Sequence, residues 1–238
     1  MNMQNNSIIK SYWKKSGMIM AVVVLTFFVS ACLDDDKKAV EPVPFGYVSI
    51  YHAAPDAPPL DITVDNRRIN SQPFRYSDFS GYLTFYTGDR EIKITSTGAV
   101  NTLVDTTVSV VEGKSYSLFV IDRLSALETL WVRDSAAAPA PGKAMVRFVN
   151  LSPDAPALNL TTDQSTVLFG DAGFKAVTNF TEVEAKTFSL AVTGSTSGEN
   201  LLSAEEIQLL PGRFYTVVVR GFRNPPAGNT NVLSLEIL

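Results

Sequence analysis

Short segments in which apolar and polar residues alternate recur along most of the chain. In the first, Val48 and Ile50 are separated by a serine and flanked by tyrosines. Because successive side chains of a β-strand point to opposite faces, this period of two predicts strands with one buried face. Similar segments lie at 60–64, 92–94, 108–110, 116–121 and 130–132, and again at 146–148, 158–160, 188–190, 214–219 and 232–237. No stretch has a clear helical period, so the pattern predicts an all-β protein.

The chain also contains an internal repeat. Residues 52–61 align with residues 150–159 at an offset of 98, and residues 111–116 align with residues 210–215 at an offset of 99. A match that holds near both ends of a unit indicates a duplicated domain. With about seven short strands in each copy, the repeat predicts two tandem antiparallel β-sandwiches.

The composition between the copies predicts the domain boundaries. Residues 135–142 are rich in alanine and proline, which is typical of a linker. We therefore expect domains at residues 44–134 and 143–238. Within the first domain, Gly88 and Asp89 predict a turn between two strands.

Residues 1–31 have the features of a secretory signal peptide. Lys10, Lys14 and Lys15 precede a short apolar stretch that ends in small residues. Cys32, the only cysteine, follows directly, and this arrangement resembles the lipobox of bacterial lipoproteins. The resemblance implies that Cys32 is diacylated, becomes the mature N-terminus and anchors the protein to a membrane, which leaves no thiol for a disulfide.

The charged residues 32–43, which include Pro42 and are followed directly by Pro44, separate this anchor from the first domain and predict a solvated tether. Its Asp34, Asp35 and Asp36 resemble the acidic export signals of surface lipoproteins of the Bacteroidota. This resemblance implies an outer-membrane lipoprotein exposed on the cell surface. The alternative is a simple spacer on a protein that faces the periplasm.

The net charge of the chain limits the classes of partner that we expect it to bind. The chain has a net charge of −4, and its first 31 residues hold three lysines and no acidic residue, so the remainder has 17 basic and 24 acidic residues and a net charge of −7. An acidic chain has no electrostatic attraction to nucleic acid, so we expect no nucleic-acid partner. At 45% apolar and 18% charged residues, the chain can bury hydrophobic cores.

A Pro-Asp-Ala-Pro motif directly follows the first strand of each copy: Pro55, Asp56, Ala57 and Pro58, then Pro153, Asp154, Ala155 and Pro156. The motif resembles the signature of the bacterial extracellular family called domain of unknown function 4397, which is a His-Ala-Ser-Pro-Asp-Ala-Pro run. Ala54 replaces the serine in the first copy, and Asn150 and Leu151 replace the first two residues in the second. The resemblance implies secreted, often lipidated, tandem β domains, with no activity assigned.

The residue types of the motif are those of a turn, since proline fixes φ and aspartate accepts hydrogen bonds from following backbone N–H groups. A rigid corner between two strands is therefore one interpretation of the two aspartates. A calcium site is the other, with candidate ligands Asp56, Asp61 and Asp65 in the first copy and Asp154, Asn159 and Asp163 in the second. Asp61 and Asp65 are about 13 Å apart at the rise of a strand, which counts against a shared ion.

His52 is the only histidine, so any catalytic triad or imidazole metal site would have to use it. Asn150 occupies the equivalent position and cannot exchange protons near neutral pH, so we expect both side chains to brace the corner. No nucleophile elbow, phosphate-binding glycine loop or metal-ligand spacing occurs in the sequence. We therefore predict no enzyme activity, no cofactor and no metal.

The remaining candidate structural and binding residues are tyrosines. Tyr116 and Tyr215 each follow a turn glycine by three positions, which resembles the tyrosine corner of immunoglobulin-like domains and favours that fold for both copies. The candidate binding residues are Tyr47, Tyr51, Tyr82 and Tyr86. Their spacing places members of each pair on one face of a strand, where they could stack sugars or anchor a protein. The alternative is that they pack in a second core or between the two domains.

These features predict a non-catalytic, lipid-anchored envelope protein that acts as a binding, adhesion or accessory module. The alternative is a glycan-binding surface lipoprotein of a polysaccharide-uptake system, with the tyrosines of the first copy as its platform. The expected partners are the membrane and a surface glycan or envelope protein. Thr106 and Ser135 each follow an aspartate and resemble acceptor sites for O-glycosylation of exported Bacteroidota proteins.

Overall fold

The computed structural model of the chain describes residues 43–162 and 166–238. The predicted signal peptide, Cys32 and the predicted tether up to residue 42 lie outside the described residues. The described part consists of β-strands and one short 3₁₀ turn, which confirms the all-β prediction. Among these residues, none belongs to a helix that has the length and hydrophobicity of a membrane span.

The first half of the described chain forms two four-stranded sheets. Its strands are β1 (Phe45–His52), β2 (Leu60–Val64), β3 (Arg67–Arg68), β4 (Phe79–Tyr86), β5 (Gly88–Ser96), β6 (Thr102–Val110), β7 (Ser115–Ile121) and β8 (Glu128–Asp134). One sheet has the order β4-β1-β7-β8 and the other has the order β3-β2-β5-β6. Strand β1 pairs antiparallel with β4 and parallel with β7.

The second half repeats this arrangement. Its strands are β9 (Lys143–Asn150), β10 (Leu158–Thr162), β11 (Thr166–Ala172), β12 (Thr181–Glu184), β13 (Thr187–Gly194), β14 (Asn200–Gln208), β15 (Phe214–Arg220) and β16 (Ser234–Ile237). The sheet orders are β12-β9-β15-β16 and β11-β10-β13-β14, and β9 pairs parallel with β15. Each strand therefore corresponds to the strand eight places earlier.

Each half has its own hydrophobic core between its two sheets. In the first half, Val48 and Ile50 of β1 pack with Ile62 of β2 and with Ile92 and Ile94 of β5. In the second half, the core contains side chains of the equivalent strands. The period-two pattern of the sequence places these side chains on one face, and each such burial contributes about 1.5–3 kcal/mol.

A third apolar cluster joins the two halves. It is built on the other face of the two sheets that contain β1 and β9, which we call the inner sheets. The cluster contains equivalent positions of both halves: Tyr51 and Val149, Ala53 and Leu151, and Phe119 and Val218. The two halves therefore contribute equivalent parts of their inner sheets to the contact.

Two details differ from the predictions. Gly88 and Asp89 were expected to form a turn, but they begin β5, and the chain reverses at Thr87. Each half has eight strands instead of about seven. In the first half the additional strand is β3, whose two residues are too few to produce an alternating pattern. The immunoglobulin-like assignment and the exact domain boundaries stay predictions.

Candidate functional site

The aspartates of the two Pro-Asp-Ala-Pro motifs bind backbone groups of their own half. Asp56 accepts a hydrogen bond from the backbone N–H of Leu124 at 2.7 Å. Asp154 accepts hydrogen bonds from the N–H groups of Arg223 at 2.7 Å and Asn224 at 2.9 Å. These acceptors hold the loop after β7 or β15 against the corner after β1 or β9, so the motif clamps two loops together.

The first proline of each motif contacts the opposite half. The carbonyl of Pro55 accepts hydrogen bonds from the side-chain amides of Asn229 at 3.0 Å and Asn231 at 2.6 Å. The carbonyl of Pro153 accepts one from the guanidinium of Arg123 at 3.3 Å. Both motifs therefore lie at the junction of the halves and do not form an open ligand site.

His52 and Asn150 are both fully buried. His52 Nδ1 accepts a hydrogen bond from the backbone N–H of Ala54 at 3.3 Å, and Asn150 Oδ1 accepts the equivalent bond from Ser152 at 3.1 Å. Burial lowers the pKa of His52 to about 4, and the carbonyl of Pro58 offsets this shift in part. At neutral pH the imidazole is thus uncharged and cannot reach a substrate in solution.

The carboxylates considered for calcium have other partners. Asp61 forms an ion pair with Arg68 at 2.7 Å, and Asp65 forms one with Arg90 at 2.8 Å. Asp163 lies outside the described residues. Within the described residues, His, Cys, Asp and Glu side chains nowhere converge in a group of three that could hold a metal ion.

Two tyrosine hydroxyls bind turn backbone in the same way. The hydroxyl of Tyr116 accepts a hydrogen bond from the N–H of Val111 at 3.3 Å, and that of Tyr215 accepts one from Leu210 at 2.9 Å. Both bonds span five residues and tie a turn to the strand that follows it. Tyr116 also stacks on Trp131 with ring centroids 4.6 Å apart.

An exposed group of aromatic side chains lies on the outer-facing surface of β1 and β4. Tyr47, Tyr82 and Tyr86 are 38%, 53% and 64% exposed, and Phe45 is 41% exposed. Phe45 pairs across the strands with Tyr86, and Ser49 pairs with Tyr82. Val48, Leu83 and Phe85 of the same strands belong to the core on the opposite surface. We call Phe45, Tyr47, Tyr82 and Tyr86 the aromatic face.

Tyr51 does not belong to this face, and its inclusion among the candidate binding residues was wrong. Its side chain is only 1% exposed, because the second half covers it. The Tyr51 hydroxyl donates a hydrogen bond to Glu236 at 2.6 Å. Burial and this carboxylate raise the pKa of Tyr51. Tyr51 therefore lies in the interface between the two halves, which agrees with the alternative interpretation that some of the tyrosines pack between the domains.

Hydrogen bonds fix part of the aromatic face. The Tyr82 hydroxyl donates to Asp134 at 2.7 Å, and burial together with this bond raises the pKa of Tyr82. Asp134 in turn pairs with Arg147 of the second half, and both side chains are almost fully buried. Tyr47 is held from the other side by Phe45, whose ring meets it edge-on at 5.5 Å. The rings of Phe45, Tyr47 and Tyr82 are therefore positioned before any ligand arrives.

Sequence reasoning missed Phe45 and the Asp134–Arg147 pair. Phe45 continues the alternation of Tyr47 by one step, so the same period of two could have identified it. Nothing in the local sequence marks Asp134 and Arg147 as partners, since they meet only when the halves pack. Of the two candidate glycosylation sites, Ser135 is exposed and Thr106 is half-buried in β6.

Comparison with known protein families gave a match to one part of the chain. The model of the domain of unknown function DUF4397 matches residues 46–161, which include all but the first few residues of the first half, strand β9 and most of β10. This match supports the resemblance carried by the Pro-Asp-Ala-Pro motif. Comparison with curated protein sequences gave no match.

Comparison with solved structures gave matches that include two carbohydrate-binding modules. One shows α-glucan recognition by family 41 carbohydrate-binding modules from streptococcal virulence factors, with 10% identity, coverage of 73% of this chain and 92% of that chain, and a TM-score of 0.25. The other is a family 26 carbohydrate-binding module of Eubacterium rectale Amy13K with maltoheptaose, with 12% identity, coverage of 80% and 96%, and a TM-score of 0.23. Similarity of this size does not identify a shared ligand.

Proposed function

We propose that this protein is a non-catalytic saccharide-binding module of the cell envelope, and that the aromatic face is its binding surface. The observation that carries the proposal is the exposure of four aromatic rings on one surface of β1 and β4. An exposed aromatic cluster is costly in water unless it serves a contact, so such a patch indicates a ligand or partner.

The arrangement suits a sugar ring better than a compact apolar ligand. A pyranose has apolar C–H faces that pack on aromatic rings and hydroxyls at its rim that need polar partners. The Tyr47 and Tyr86 hydroxyls and the exposed Thr84, which pairs with Tyr47, lie among the rings and supply such partners. The surface is open and broad, which accommodates a polymer, and the only histidine is buried away from it.

Glycan binding by the detergent-purified full chain tests the proposal. Tyr47→Ala and Tyr86→Ala each remove one ring, and we expect each to weaken the binding of a glycan found on an array by about five- to tenfold. Leu210→Ala is the matched control, because it removes an exposed apolar side chain from the second half. Absence of glycan binding, or equal losses in all three variants, would count against the proposal.

We also propose that the module is anchored through Cys32 and displayed on the cell surface. The support is the lipobox-like sequence and the acidic residues that follow it. Cys32→Ser should abolish fatty-acid labelling and release the protein from the membrane fraction. Protease added to intact cells should degrade the wild-type protein, and alanine at positions 34–36 should protect it. A labelled Cys32→Ser protein would refute the anchor, and a wild-type protein already protected would indicate that it faces the periplasm.

A further inference from the structure

A groove of about 460 Å³ lies beside the aromatic face, on the open side of the first half. It runs between β3 and β4, which are the edge strands of the two sheets of that half. Tyr86 and Thr84 line the groove from the β4 side, so it is continuous with the aromatic face. A polymer lying across the rings would reach the groove at this edge.

The groove is basic in an otherwise acidic protein. Arg67, Arg68 and Arg90 line it together with one carboxylate, Asp65. Arg90 is paired with Asp65, and Arg68 is paired with Asp61. Arg67 is exposed and forms no ion pair with any of the residues that the structure describes. The Nε atom of Arg90 is buried and has no hydrogen-bond acceptor within the same described residues.

The turn between β2 and β3 fixes these cations. Asp65 and Asn66 have φ angles of 48° and 64°, and Val64 pairs with Arg67 across the turn. Positive φ at both central residues is the geometry of a tight two-residue hairpin. The Asp65 carboxylate accepts hydrogen bonds from the backbone N–H of Glu91 at 3.0 Å and from Arg90 at 2.8 Å. The hairpin thus holds Arg67 and Arg90 over the same groove.

The second half lacks the arginines that line the groove of the first half. The strand pairing places Thr166 at the position of Arg67, Val167 at that of Arg68, and Phe188 at that of Arg90. It also places Glu184 at the position of Tyr86. The second half therefore has the same fold without the three cations, and the basic groove belongs to the first half alone.

We infer that the saccharide bound by the aromatic face is acidic, and that a carboxylate of one of its sugar units binds in the groove to Arg67 and Arg90. This inference rests on the proposed function. A guanidinium presents a planar set of donors that matches a carboxylate, and Arg67 forms no ion pair with a carboxylate of the described residues that a ligand would have to displace. The rings contribute affinity for the sugar, and the arginines select sugars that carry a negative charge.

The experiment compares acidic polysaccharides with their neutral methyl esters. Polygalacturonate, alginate and hyaluronan are each tested in both forms against the detergent-purified full chain at low ionic strength. We expect at least one acid form to bind about tenfold more tightly than its ester, and added salt to reduce that difference. Arg67→Gln should remove most of the difference and leave the affinity for the ester unchanged.

Arg133→Gln is the matched control, because Arg133 is an exposed arginine on β8, at the edge of the β4-β1-β7-β8 sheet opposite to β4. If no acid form is preferred over its ester, or if Arg133→Gln acts like Arg67→Gln, the inference is wrong. Binding of neutral glycans that depends on Tyr47 would then leave the proposed function intact. Failure of every acidic and neutral glycan to bind would overturn both.

Discussion

At positions 52 and 150, two different side chains accept an equivalent hydrogen bond. His52 binds the N–H of Ala54 and Asn150 binds the N–H of Ser152, each two residues ahead and fully buried. Asn150 makes one further bond, to the carbonyl of Ala172 at 3.0 Å, whereas His52 stacks on Phe74 instead. The acceptor is the feature that the two side chains share, so it is what both corners require.

His52→Asn should therefore cost less than about 1 kcal/mol of unfolding free energy, because the acceptor is kept. His52→Ala should cost about 1–3 kcal/mol, because the buried N–H of Ala54 then has no partner. Chemical denaturation of both variants measures the difference. Equal losses would show that imidazole packing, and not the hydrogen bond, determines the stability of the corner.

The lowered pKa of His52 also predicts a dependence on pH. The pKa is about 4 in the folded protein and 6.5 in an unfolded chain, so the folded state disfavours the proton. The resulting stability is complete above pH 6.5 and is lost as the pH falls towards 4, by up to about 3 kcal/mol. Denaturation at pH 7, 5.5 and 4 should show a smaller loss in His52→Asn than in the wild type. Parallel pH profiles would mean that His52 is accessible to protons in the folded state.

At the scale of strands, the sequence predicted where strands form better than it predicted what covers their faces. The alternation of apolar residues identified β1, β2 and β7 because one face of each packs in its own core. The same alternation could not separate Tyr47 from Tyr51, which occupy one face of one strand. Tyr51 is buried and Tyr47 is exposed because the second half covers only part of that face. Which part is covered depends on long-range packing and leaves no local signal.

The hydroxyls that tie turns to strands provide a test at this scale. Tyr116→Phe removes the acceptor of the partly buried N–H of Val111 while keeping the stack on Trp131. We expect a loss of about 1 kcal/mol of unfolding free energy. Tyr215→Phe should cost less, because the N–H of Leu210 is exposed and water can replace the hydroxyl. Thermal denaturation of both variants checks the order, and the reverse order would show that burial of the donor does not govern the cost.

At the scale of the whole described chain, the two halves are joined by apolar and charged contacts together. Beside the shared apolar cluster lies the buried pair of Asp134 and Arg147, supported by bonds from the Arg147 guanidinium to Ser117 at 2.9 Å and to Thr216 at 2.9 Å. Removal of one member of such a pair leaves an uncompensated buried charge, which is far more costly than loss of an exposed pair. The interface should therefore couple the unfolding of the halves.

Calorimetry of the full chain tests this coupling. We expect the wild type to unfold in one cooperative transition. Arg147→Met should destabilise it by about 3–5 kcal/mol, because Asp134 stays buried without its partner. Lys143→Met is the control, since it removes the lysine of the exposed pair with Glu184 and should cost less than about 1 kcal/mol. Two separate wild-type transitions would show instead that the halves unfold independently. Equal effects of the two substitutions would show that the buried pair of Asp134 and Arg147 contributes no more to stability than the exposed pair of Lys143 and Glu184.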